Sequence, residues 1–226
     1  MITDDPAGAA ARLLAEAAGP VALTGGSTPR AAYERATGLR EDWSGVELWF
    51  TDERCVAPDH EHSNFGMVNR ALLERVAGPQ PAVHRMRGEL GPEEGAEEYE
   101  LALRGRFGSG PARFELVLLG LGPDVHVCSL FPGDAALAAH DRLAVGVETP
   151  GMAPLVSRIT LTLDVVNGAH DVVFLVTGED KAAAVRRAFA GPPGPDAPGS
   201  LVAPDPGSLR AVLDPPAARL LPEAEC

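Results

Sequence analysis

The sequence predicts an α/β protein built on a mostly parallel sheet with helices on both faces. Three observations lead there. Short apolar runs of strand length recur along the chain, followed by glycine-containing turns. Those turns open into segments of helical character, and strand–helix alternation returns each new strand parallel to the last. The chain has 226 residues, 45% hydrophobic and 23% charged, which suits one globular domain over residues 1–226.

The first strand is read in "VALTGG" (21–26), which passes into the helix-like "STPRAAYERA" (27–36). Pro29 suits a first helical turn, and Ser27 or Thr28 is expected to cap it. "VELWFTDER" (46–54) reads as an extended segment ahead of a helix in "SNFGMVNRALLERV" (63–76). "PEEGAEEYELALRGRF" (92–107) has proline at its start and acids in its first turn, where they complement the helix dipole. "FELVLLGLG" (114–122) reads as a buried strand and its turn. "DVVFLVTG" (171–178) leads into "EDKAAAVRRAF" (179–189), with Thr177 as the expected cap. "GPPGPDAPG" (191–199) is a stiff surface loop, and no internal repeat is present.

Composition removes several classes of function. The longest apolar runs, "LVLL" and "VVFLV", are far too short to cross a bilayer, so no membrane role is expected. "MITDDPAGAA" lacks the basic-then-apolar order of a signal peptide, and a cytoplasmic location is expected. Cys55, Cys128 and Cys226 show no metal-ligand spacing, which predicts free thiols and no metal. A net charge of −13 argues against nucleic acid, whose phosphates need a basic face. An anionic substrate would have to meet cations gathered locally against that overall field.

Ligands of open parallel sheets bind in loops beyond the carboxyl ends of the strands. Here those loops follow residues 24, 50, 119 and 176. In "TGGSTPR", Gly25 and Gly26 allow close backbone approach, and the N–H groups of a helix start at Ser27 and Thr28 can hold an anion. A tight turn without a ligand explains these residues equally well. In "FTDERCV", Asp52 and Arg54 project to one side of an extended segment and Glu53 to the other. Asp52 can hold the Arg54 guanidinium for a ligand, although a solvated ion pair is the commoner use of such neighbours. In "TGEDK", Glu179 and Asp180 would repel a phosphate on the helix start, which leaves the Lys181 side chain to reach it. Lys181 is the only lysine among 19 Lys and Arg residues, and its compact ammonium differs from the default guanidinium. His126 lies in the Gly-Pro-Asp loop after a buried strand, where an imidazole can titrate near neutrality and activate a water. A lone histidine near a core is otherwise more often structural.

Taken in order, "LTGGSTPRAAY", "WFTDERCVAPDHEHSNFGM", "FELVLLGLGPDVHVCSLFPG" and "SRITLTLDVVNGAHDVVFLVTGEDKAAAV" resemble the glucosamine-6-phosphate isomerase/6-phosphogluconolactonase superfamily. The resemblance spans about residues 20–220 and favours the lactonase branch through "DERCV" and "SLFPG". It implies a Rossmann-like three-layer α/β/α sandwich and hydrolysis of 6-phosphoglucono-1,5-lactone to 6-phosphogluconate without a cofactor. By the same resemblance His126 matches the general base, and Asp52 and Arg54 match residues lining the sugar end. Gly26, Ser27, Arg158 and Lys181 match positions around the substrate phosphate, and Gly25, Thr28 and Asp124 are also expected to bind substrate. A small sugar phosphate is the implied partner; a monomer or weak homodimer is expected.

This chain departs from the family where it reads Asp124-Val125-His126-Val127 in place of Asp-Gly-His-Thr. A valine where glycine is usual predicts either a strained positive-φ residue or a relaxed loop that displaces His126. An impaired, purely phosphosugar-binding relative is thus one alternative. An amino-sugar-phosphate isomerase or deaminase, using Asp52 and His126, is another. No GxSxG elbow is present, which disfavours an acyl-enzyme.

Overall fold

The computed structural model describes residues 1–222. Helix α1 (Pro6–Glu16), strand β1 (Gly19–Leu23), helix α2 (Ser27–Ala36) and strand β2 (Val46–Phe50) open the fold. Strand β3 (Asp52–Arg54), helix α3 (Asn64–Ala71), strand β4 (Ala82–Val83), helix α4 (Pro92–Phe107) and strand β5 (Leu116–Leu119) follow. Then come strands β6 (Ala144–Val147) and β7 (Arg158–Leu161), helix α5 (Leu163–Asn167), strand β8 (Asp171–Val176) and helix α6 (Ala182–Ala190). Strand β9 (Ser208–Leu213) and helix α7 (Pro215–Ala218) complete it.

Six strands form one sheet in the order β4-β2-β1-β5-β8-β9, and every pairing in it is parallel. The apolar runs predicted as strands are its interior: Val21–Leu23, Leu116–Leu119 and Val172–Val176 are all buried. Strands covered on both faces read as continuous apolar stretches, which is why these runs show no alternation. Helices flank the sheet, and α1 packs against α2. Among the described residues no helix is long and apolar enough to cross a membrane. Cys55 and Cys128 are free thiols, and Cys226 lies outside the described residues.

The run "VELWFTDER" is not one strand. β2 ends at Phe50, and Asp52–Arg54 joins a second, three-stranded antiparallel sheet in the order β3-β7-β6. Thr51 is the crossing point: its N–H donates to Leu23 O in the first sheet at 2.9 Å, and its carbonyl accepts from Leu161 N in the second at 2.9 Å. Glu53 fastens the junction to α3, taking the N–H groups of Arg54 and Asn64 at 2.7 Å each, Phe65 N at 2.8 Å and Ser63 Oγ at 3.0 Å. Burial pushes the Glu53 carboxyl up in pKa, against the pull of those donors.

Two capping expectations fail. Gly26, at φ 118°, occupies the cap position of α2 without a side-chain cap, and Ser27 and Thr28 lie inside the helix. Gly178, at φ 103°, holds the equivalent place before the turn Glu179–Lys181, so Thr177 does not cap it. The two threonines instead meet each other, Thr28 Oγ1 to Thr177 Oγ1 at 2.7 Å, and tie the start of α2 to the end of β8.

Candidate active site

From β1 the chain proceeds to β2 and β4 on one side, and from β5 to β8 and β9 on the other. The loops after β1 and β5 therefore diverge, which is the switch point at which open parallel sheets hold ligands. A cleft of about 430 Å³ opens there, within the usual range for small-molecule sites. Gly25, Gly26, Ser27, Thr28, Asp52, Arg54, His126, Arg158 and Lys181 all line it. Asp124 stands behind His126.

The loop after β5 is wound tightly around His126. Val125 N donates to Gly122 O at 3.0 Å, and Gly122 N donates to His126 O at 2.9 Å. Asp124 Oδ1 lies 2.5 Å from His126 Nδ1 and also accepts the His126 N–H at 3.2 Å. A carboxylate only accepts, so Nδ1 carries the hydrogen, and in the neutral ring Nε2 is then the lone-pair nitrogen. Gly122 is required for this packing, because a Cβ there would fall 2.1 Å from His126 Nδ1. Phe131 lies against the ring, centroids 4.6 Å apart. Of the two outcomes expected for Val125 the structure has the strained one, a positive φ of 69°, and the imidazole lines the cleft.

Asp52 and Arg54 both face the cleft and Glu53 faces away, as their alternation predicts. They are not a pair, however. Ser129 Oγ donates to Asp52 Oδ2 at 2.7 Å, and Asn64 Nδ2 donates to Asp52 Oδ1 at 3.2 Å and to its carbonyl at 2.8 Å. The cation nearest Asp52 is Arg158, Nη1 to Oδ2 at 4.0 Å. Arg54 donates Nη1 to His62 O at 2.7 Å, and its buried Nε has no partner among the described residues. Most of the Arg158 fork is already engaged: Nε donates to Val156 O at 3.1 Å, and Nη2 to Pro154 O at 3.0 Å and Met152 O at 3.3 Å. Burial pulls its pKa down and the Asp52 carboxylate opposes that shift, so the guanidinium stays charged.

At the opposite wall, the uncapped start of α2 presents N–H groups that have no intrahelical acceptor. Tyr33 steadies this turn from within α2, its hydroxyl donating to Thr24 O at 2.8 Å and accepting from Thr24 N at 3.1 Å. Lys181 lines the same region and enters no ion pair among the described residues. Glu179 turns outward to Arg219 at 3.2 Å, which removes one of the two acids expected to repel an anion, while Asp180 remains at the cleft.

Sequence reasoning did not place Asn64, Ser129, Gly122 or Cys128 in the site, and read Cys128 only as a free thiol. The first two lie inside the resemblance stretches "SNFGM" and "SLFPG", and each donates one hydrogen bond that holds the Asp52 carboxylate in place while leaving acceptor capacity on it. Cys128 lines the cleft, but burial and the nearby Asp52 charge push its thiol well above the ordinary value. It is therefore a protonated thiol and a poor nucleophile near neutrality.

A family profile described as glucosamine-6-phosphate isomerases/6-phosphogluconolactonase matches residues 7–211. The chain is 41% identical over 176 residues to the 6-phosphogluconolactonase of Homo sapiens, an alignment covering 77% of this chain and 67% of that one. It is 38% identical over 174 residues to the 6-phosphogluconolactonase of a Nostoc species, covering 75% and 71% respectively. The solved 6-phosphogluconolactonase of Trypanosoma brucei superposes with a TM-score of 0.85 at 26% identity, over 98% of each chain.

Proposed function

Because this chain belongs to the glucosamine-6-phosphate isomerase/6-phosphogluconolactonase family, we propose that His126 is the base that activates water in its cleft for attack on a lactone. The activity is that of a 6-phosphogluconolactonase, a hydrolase of a sugar-phosphate lactone in the pentose phosphate pathway. The observation that carries the assignment to His126 is its 2.5 Å contact with Asp124, which fixes the hydrogen on Nδ1 and makes Nε2 the basic nitrogen of a neutral ring that lines the cleft.

In this reading the substrate is 6-phospho-D-glucono-1,5-lactone. Water gives a proton to His126 Nε2 as its oxygen bonds to C1. The carbonyl oxygen gains the negative charge, then re-forms its double bond as the C1–ring-oxygen bond breaks. Protonated His126 returns the proton to the departing ring oxygen, which becomes the C5 hydroxyl. Asp124 steadies the imidazolium in between. A lactone is an activated ester, so this modest machinery suffices.

Lys181 and the N–H groups at Gly25, Gly26, Ser27 and Thr28 hold the phosphate, and that remote binding positions C1 at the histidine. Arg158, with only Nη1 uncommitted, acts more as a fixed charge than as a bidentate clamp. Asp52 accepts from the sugar hydroxyls while Arg54 borders them.

The test is His126→Ala, assayed on freshly generated lactone with spontaneous hydrolysis subtracted. Turnover is expected to fall by at least ~100-fold, the scale of a lost general base, while 6-phosphogluconate binds as before. Near-full turnover would make His126 structural and remove the mechanism.

A further inference from the structure

Val125 raises a structural question that the cleft alone does not answer. A β-branched residue is disfavoured at φ 69°, so something outside the loop must hold it there. Val125 is buried, and its carbonyl accepts a hydrogen bond from Gly199 N at 2.8 Å. Gly199 is also buried, within the turn Pro198–Leu201, and is not part of the cleft wall. A Cβ at Gly199 would lie 2.8 Å from Leu121 Cδ1, 3.2 Å from Val125 O and 3.3 Å from Val125 Cγ1. The missing side chain at 199 is therefore filled by the loop that carries His126.

The turn is anchored on its far side as well. Ala197 N donates to Gly194 O at 3.0 Å, and Ser200 N donates to Ala197 O at 2.8 Å. Asn167, the last residue of α5, donates Nδ2 to Leu201 O at 3.1 Å and accepts from Ala203 N at 2.8 Å. A continuous set of contacts thus runs from α5 through Gly199 to the peptide that precedes His126.

We infer that Gly199 is a positioning residue for the hydrolysis: its N–H and its lack of a side chain hold Val125 left-handed and so aim the His126 ring. The inference rests on His126 acting as the base. Because Gly199 has an ordinary backbone conformation, a larger residue there acts by pushing on Val125 and Leu121 rather than by straining its own backbone.

The experiment compares Gly199→Ala and Gly199→Val with the parent chain, each alone and combined with His126→Ala. Turnover and 6-phosphogluconate affinity are measured for all. Gly199→Val is expected to lower kcat on the order of 10- to 100-fold, the scale of an ångström-sized misplacement, with product affinity unchanged. Gly199→Ala is expected to lower it less. In the His126→Ala background neither substitution should lower the residual rate further, because there is no base left to misplace. Full turnover in both single variants overturns the inference, and so does an equal loss with and without His126, which would mark general damage. If Gly199→Val does not fold, the Gly199→Ala pair decides by the same criteria. If His126→Ala itself turns over normally, the failure lies in the base assignment, a result distinct from a silent Gly199 in a chain that needs its histidine.

Discussion

Val125 sets two opposing energies against each other. Holding a non-glycine residue left-handed costs ~1–3 kcal/mol, while burying a valine side chain returns ~1.5–3 kcal/mol. Val125 is only 6% exposed, so the second term is nearly complete. Glycine there would relieve the strain, lose the burial and add unfolded-state entropy. Val125→Gly is accordingly expected to destabilise by about 1 kcal/mol and to give no gain in kcat/KM, since His126 already meets Asp124. Thermal midpoints and lactonase rates of the two chains check this; a severalfold rise in rate would mean that Val125 holds the ring away from its working position. At this scale Val125 is accommodated at positive φ by the burial of its side chain.

Among the elements, β3 and its neighbours decide the shape of the cleft wall that carries Asp52 and Arg54. Asp52 and Arg54 face the cleft because Thr51 hands the chain from one sheet to the other and Glu53 is pinned to α3. The turn Gly88–Leu90 packs on the other side of the β3 end, where a Cβ at Gly88 would fall 2.3 Å from Arg54 O. Glu89 in that turn takes two bonds from Arg85, at 2.5 and 2.9 Å, and its pKa is lowered from 4.5 to about 2, chiefly by those bonds. A carboxyl with a depressed folded-state pKa stabilises fully above its unfolded value and loses that contribution as pH falls through the folded one. Glu89→Gln is therefore expected to melt below the parent chain above pH 4.5, with the gap closing as pH falls toward about 2. Thermal scans across that range measure it. A gap that does not change with pH would trace the loss to packing of the turn rather than to the ion pair.

For the whole molecule the governing fact is charge. The net formal charge is −13, yet the cleft gathers Arg54, Arg158 and Lys181. Beyond a Debye length of about 8 Å at physiological salt the overall repulsion is screened, whereas a contact cation is not. Lys181→Ala is expected to weaken 6-phosphogluconate binding by ~10-fold or more, the scale of one charge-assisted contact, and Lys181→Arg to restore only part of it. With the lysine gone, repulsion should dominate the approach of a phosphorylated lactone. Its kcat/KM should then rise as salt increases from about 0.01 to about 0.15 M, where the Debye length shrinks from about 30 to 8 Å. Unchanged affinity in Lys181→Ala would return that residue to the surface.

Strand–helix alternation and the identity of the four cleft loops were legible in the sequence because both are local properties. Buried parallel strands are unbroken apolar runs, and glycine, proline and caps punctuate them wherever they lie in space. The same locality accounts for what could not be read. Ser129 reaches Asp52 across 77 residues, and Thr28 meets Thr177 across 149, contacts set by the crossovers and not by any window of sequence. The division of "VELWFTDER" between two sheets depends on β7 being available as a partner, and the engagement of Arg158 depends on carbonyls brought round by its own loop. Val125 is the clearest case: backbone sterics alone left open whether it would hold the positive φ or relax. Tertiary structure decided it, because a glycine at 199 supplies both the space and the donor that keep Val125 in place.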